Sequence, residues 1–161
     1  MTAELTTSPQ TRPASNAAPL RHTVLIIDDD HTLAEVLSHG LKQQGFRAVA
    51  AHSGAAGLRK AKAEPPSAII LDLGLPDADG LTVCAQLADS SETCAAPIII
   101  LSGTEQPDIV RRCRAAGSHY FLRKPHDPSA LLVLLRQAIC DTNGWRGEGR
   151  GEREEGREQA W

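Results

Sequence analysis

Four apolar runs in this 161-residue chain end on polar side chains able to do chemistry. Thr23 to Ile27 runs into Asp28-Asp29-Asp30, and Ile69-Ile70-Leu71 ends on Asp72. Ile98-Ile99-Ile100-Leu101 ends on Ser102-Gly103-Thr104, and Lys124-Pro125 follows Tyr120-Phe121-Leu122. Gathered in one place, Asp28, Asp29 and Asp72 would repel one another unless a cation compensated. Hard oxygen ligands with room for water suit Mg²⁺. An Asp72 carboxylate beside such a cation could attack phosphorus and form an acyl phosphate. Lys124 would contact the phosphoryl oxygens, Ser102 could donate a hydrogen bond to the product, and Gly103 would leave space beside it. Read alone, the aspartate triplet equally fits a solvated turn with Asp30 capping the next helix.

Those runs must be brought to one edge, and the intervening pattern does so. Leu33, Val36, Leu37 and Leu41 recur at helical spacing before Gly45 stops them. Phe46 to Ala51 reads as a second, weaker strand. Ser53 is an N-cap for a helix through Ala63, which Pro65-Pro66 break. Ala68 to Leu71 is the third strand, and a helix starting at Asp79 or Gly80 runs through Leu87. After the fourth strand, Pro107 suits the first turn of a helix that stops at Gly117. Tyr120 to Leu122 is a short fifth strand. Asp127-Pro128 opens the last helix, with Leu131, Leu134, Leu135, Ala138 and Ile139 on one face and Val133 opposite. The pattern is (βα)5. Continuous apolar strands imply a doubly wound parallel five-stranded sheet covered on both sides. Right-handed crossovers favour the order 2-1-3-4-5, which places every strand C-terminus on one edge. There, Lys124-Pro125 is a position where a cis bond would aim the lysine inward.

Composition sets limits. Aromatics are 3% of residues, so the core must be aliphatic. The net charge of −3 supplies no global basic field and argues against direct nucleic-acid binding. Cys84, Cys94, Cys113 and Cys140 show no metal-binding spacing and read as reduced thiols. No run is long and apolar enough for a membrane span, and residues 1–22 make a poor signal peptide, so the expected location is cytoplasmic, with no membrane partner. Residues 1–22 are expected to be a disordered extension, 23–141 the folded domain, and 142–161 a flexible Gly/Arg/Glu-rich tail.

Four motifs together resemble bacterial two-component response-regulator receiver domains, the chemotaxis-regulator-like family with a flavodoxin-like fold. They are Val24 to Asp30, Leu71 to Gly80, Pro97 to Gly103 and Ala116 to Pro125. All four stand in the family's order and at its spacing. The resemblance implies that Asp72 is the phosphoacceptor, that Asp29 binds Mg²⁺ directly, and that Asp28 holds metal-bound water. It implies that Gly74 offers a backbone carbonyl to the metal. Ser102 matches the switch hydroxyl, Lys124 the family's lysine, and Phe121 the aromatic rotamer switch; Tyr120 stands one place early.

His126 departs from the family's usual phenylalanine. Gly74 and Thr104 occupy two variable positions that tune dephosphorylation, and glycine cannot orient a water. Too few residues follow 141 for a DNA-binding or catalytic output domain, so a single-domain response regulator is expected, and the resemblance further implies a switch that catalyses its own phosphorylation without being a turnover enzyme. A sensor histidine kinase or phosphotransfer protein would be the donor. A downstream target would meet the fourth helix, fifth strand and fifth helix, a face also able to form a homodimer on phosphorylation. Other readings remain beside it. Asp28-Asp29-Asp30-His31-Thr32 also fits D-x-D-x-T of haloacid-dehalogenase-type phosphatases, with Asp28 as nucleophile and Asp30 as acid. A third reading is a phosphorylation-independent binding module. His31 reads as a solvent-facing first-turn residue.

Overall fold

The computed structural model describes residues 22–145, so the expectations placed on 1–21 and 146–161 lie outside the described residues. Five strands and five helices alternate: β1 Thr23–Ile27, α1 His31–Gln43, β2 Arg47–Ala51, α2 Gly54–Ala63, β3 Ala68–Asp72, α3 Gly80–Asp89, β4 Ile98–Ser102, α4 Ile109–Ala115, β5 Tyr120–Arg123 and α5 Pro128–Trp145. All pairings are parallel, in the order β2-β1-β3-β4-β5.

The apolar runs become central strands because successive side chains point to opposite faces, and both faces are covered. Leu25, Ile27, Ile69, Leu71, Ile98 and Ile100 pack under α2, α3 and α4. Val24, Ile26, Ile70, Ile99 and Leu101 pack under α1 and α5. β3 and β4 are buried throughout, whereas edge strand β2 is half-exposed, which accounts for its weaker sequence signal. Buried Cys84 lies in the first core, and burial pushes its thiol up to about 12, consistent with a reduced, inert side chain.

Local chemistry sets the helix starts. Ser53 Oγ accepts the Ala56 amide, and Asp79 Oδ1 the Leu81 amide. Two positions differ from the sequence reading. α4 begins at Ile109, because Pro107-Asp108 form a turn ahead of it. α5 continues through Asn143-Gly144 to Trp145, past the expected boundary at 141. The Thr142 hydroxyl there bonds back to the Ala138 carbonyl. Val36 is 60% exposed, and Ala34 takes the buried place beside Leu37 and Leu41.

Candidate functional site

The strand register brings the expected residues to one edge. Asp72 pairs with Leu101, and Ser102 with Arg123, so the ends of β3, β4 and β5 are level. Asp28 follows β1 directly, its amide bonded to the Ala51 carbonyl at the end of β2. Asp28 is 2% exposed, Asp72 8% and Ser102 2%, although all three lie at a loop-bearing edge.

One oxygen from each of Asp28, Asp29 and Asp72 lies within 4.8 Å of the others. This set of hard, acidic donors fits a small divalent cation. Lys124 Nζ stands 3.0 Å from Asp28 Oδ2 and 3.2 Å from Asp72 Oδ1. The Lys124-Pro125 peptide is cis. Burial raises the Asp72 pKa and the neighbouring Asp28 charge adds to this; Lys124 and the Gly74 amide only partly offset them. Burial alone would lower the Lys124 pKa, but Asp28 and Asp72 outweigh it and hold the ammonium above its ordinary value. The carboxylate is thus disfavoured as an anion, while the ammonium is held charged against it.

The loop after Asp72 is shaped by glycine. A Cβ on Gly80 would stand 2.4 Å from the Leu73 Cα, so the start of α3 lies directly on the Asp72 loop. Gly74 leaves the space beside Asp72 free; a Cβ there would be 3.2 Å from Asp72 Oδ2.

Ser102 does not face this cluster with a free proton. Its Oγ donates to Thr104 Oγ1 at 3.0 Å and accepts the Thr104 amide at 3.1 Å. Phe121 is half-buried against the α2–α3–α4 core, while Tyr120 packs on the opposite face and donates from its hydroxyl to Asp141. Asp30 serves α1, its Oδ1 accepting the Leu33 amide, and the Asp30 amide bonds to Asp28 Oδ1. The capping role of Asp30 therefore coexists with the acidic cluster of Asp28, Asp29 and Asp72.

Two features went unread in the sequence. Asp77 accepts the Gly54 amide at 2.8 Å and the Ala55 amide at 2.9 Å, clasping the loop after Asp72 to the start of α2. These two bonds, Ala55's the stronger influence, hold the Asp77 pKa below its ordinary value. His31 is exposed as expected, but it stacks on His52 with ring centroids 3.7 Å apart, and His52 Nδ1 lies 3.1 Å from the Asp28 carbonyl. The only available signal for Asp77 was a turn carboxylate ahead of a helix; its partner helix precedes it in the chain.

Comparison with known proteins bears on the family and the fold. The family profile described as "Response regulator receiver domain" matches residues 24–136. The transcriptional regulatory protein KdpE of Mycobacterium tuberculosis is 37% identical over 117 residues, covering 72% of this chain and 50% of KdpE. The DNA-binding dual master transcriptional regulator RpaA of Synechocystis is 32% identical over 120 residues, covering 74% of this chain and 50% of RpaA. The chain thus spans about half the length of these curated relatives. Among solved structures, the chemotaxis response regulator CheY4 of Vibrio cholerae superposes with a TM-score of 0.69 at 27% identity, covering 73% of this chain and 98% of that one.

These relatives overturn one expectation. The modest net charge of −3 argues against direct nucleic-acid contact, yet RpaA is by its name DNA-binding and KdpE a transcriptional regulator. Net charge of a receiver domain reports its own field and says nothing of contacts made elsewhere in such a regulator. The net charge of −3 therefore does not exclude nucleic-acid contact by a regulator of this kind. Among the described residues, no helix is long and apolar enough to cross a membrane.

Proposed function

The chain belongs to the response regulator receiver domain family, and from that premise we propose that Asp72 accepts a phosphoryl group from a phosphohistidine. The donor is a sensor histidine kinase or a phosphotransfer protein, and the reaction takes place in the cytoplasm. An Asp72 carboxylate oxygen attacks the phosphorus, the P–N bond breaks, and the imidazole leaves with the bonding electron pair. Asp28, Asp29, Asp72 and the Gly74 carbonyl would hold Mg²⁺, which neutralises charge on the transferring group when bound. Lys124 would contact the phosphoryl oxygens and offset their charge. The chain thereby promotes its own phosphorylation and dephosphorylation, and acts as a switch without substrate turnover. Ser102 and Phe121 then reorient and shift the population toward a form with a different partner-binding surface.

The observation that carries this reading is the Lys124 ammonium within 3.2 Å of both Asp28 and Asp72, beside a three-carboxylate cluster. The test is incubation with Mg²⁺ and a small phosphoramidate donor, followed by intact mass. The parent gains one phosphoryl group and Asp72→Asn gains none. A phosphoryl group retained on Asp72→Asn and lost from Asp28→Asn would transfer the role to Asp28.

A further inference from the structure

Buried Ser102 spends its single hydroxyl proton on Thr104. The Oγ–Oγ1 distance is 3.0 Å, and the Thr104 amide returns a bond to the same Oγ at 3.1 Å. A serine hydroxyl carries one proton, so it cannot donate to Thr104 and to a second acceptor together. Ser102 is 2% exposed, so little water is at hand to replace a lost partner. The intervening Gly103 has open space at its Cβ position and places no side chain against the pair. One residue beyond, Glu105 lies 3.8 Å from Arg123, which pairs in register with Ser102, and this tethers the same loop to β5.

We propose that Thr104 is a positioning residue that holds the Ser102 proton in a resting hydrogen bond, so that a phosphoryl group on Asp72 must compete with Thr104 to recruit Ser102. The inference rests on Asp72 as phosphoacceptor and adds a restraint on the switch. The threonine hydroxyl sets how readily the phosphorylated arrangement forms, while the cation ligands are untouched. The proton changes acceptor from Thr104 Oγ1 to a phosphoryl oxygen, with no covalent bond made or broken.

Thr104→Val removes the acceptor and keeps the side-chain shape and the backbone amide. It raises the energy of the resting form by leaving a buried donor unmatched. One neutral hydrogen bond corresponds to roughly two- to tenfold in an equilibrium. The experiment is calorimetric titration of the full chain with beryllofluoride in Mg²⁺, and separately with Mg²⁺ alone. Thr104→Val is expected to bind beryllofluoride roughly two- to tenfold tighter than the parent, with the Mg²⁺ affinity unchanged. In a Ser102→Ala background the valine is expected to have no effect, because the proton it frees is gone.

Equal or weaker beryllofluoride binding by Thr104→Val, with the parent binding normally, overturns the restraint and leaves the phosphoacceptor reading standing. The same gain in the Ser102→Ala background also overturns it, since valine would then act on the phosphoryl site directly. A parent chain that binds Mg²⁺ but ignores beryllofluoride overturns the phosphoacceptor reading and this inference together.

Discussion

The Nζ of Lys124 lies 3.2 Å from Oδ1 of Asp72, and so the proposed phosphoacceptor meets its counter-charge before any donor arrives. The same ammonium contacts Asp28. A cation at the acidic cluster would therefore share the Asp28 and Asp72 carboxylates with the lysine, and the balance between them governs the resting state.

That balance predicts the behaviour of Asp72→Asn. The folded pKa of Asp72 is raised, so folding favours its protonated form. Its unfavourable contribution is absent below the unfolded value, grows as pH rises toward the folded value, and is complete above it. A neutral asparagine removes that penalty. Thermal unfolding in chelator at neutral pH is expected to show Asp72→Asn more stable than the parent. Mg²⁺ should raise the parent's midpoint more than the variant's, and a variant that gains as much would count against Asp72 as a ligand.

Lys124→Met tests the opposite partner. Its loss leaves Asp28 and Asp72 facing each other without a cation, and the protein in chelator should lose roughly 1–3 kcal/mol. Mg²⁺ should bind the variant at least as tightly as the parent, because a competitor has gone. The lysine's raised pKa adds a signature at high pH. Its stabilisation is complete below the unfolded value of 10.5 and is lost as pH rises through the folded value. Denaturation profiles of parent and variant should therefore converge on the alkaline side.

Gly74→Asn should shorten the life of the acyl phosphate. The new Cβ would stand 3.2 Å from Asp72 Oδ2, so the side-chain amide would reach the phosphoryl region and could orient an attacking water. An acceleration on the order of tenfold is expected from such positioning. Decay of the phosphorylated species at fixed Mg²⁺ measures it, and an unchanged half-life would show that this position does not influence hydrolysis.

Gly80→Ala should damage fold and site together. Its methyl would press to 2.4 Å from the Leu73 Cα, and backbone cannot swing aside as a side chain does. Overpacking of this kind costs about 1–3 kcal/mol. Because Leu73 follows Asp72 directly, the variant should also bind Mg²⁺ more weakly under conditions where circular dichroism shows it folded. A well-folded variant with parental Mg²⁺ affinity would show that the loop tolerates displacement.

The strand order, the two-sided burial and the identity of the residues at the site edge are all legible in the residue pattern along the chain. The physical reason is local: β3 and β4 are continuous aliphatic runs, Ser53 and Asp79 are capping residues in place, and each run ends on its polar group. The α5 stripe through Leu131 and Leu135, with Val133 left 67% exposed, follows from helix periodicity in the same way. Periodicity was less informative for Val36, which shares helical spacing with Leu37 but sits at the rim of the buried face.

Which atoms meet is set by the folded packing alone. Lys124 could have paired with either acid, and it contacts both; Ser102 could have turned toward Asp72, and it bonds to Thr104. Asp77 reaches back to the amides of a helix earlier in the chain, and His31 finds His52 across the end of β2. Such contacts depend on the register between strands and on the direction of each side chain. Packing of the whole sheet sets both, and residue spacing along the chain does not contain them.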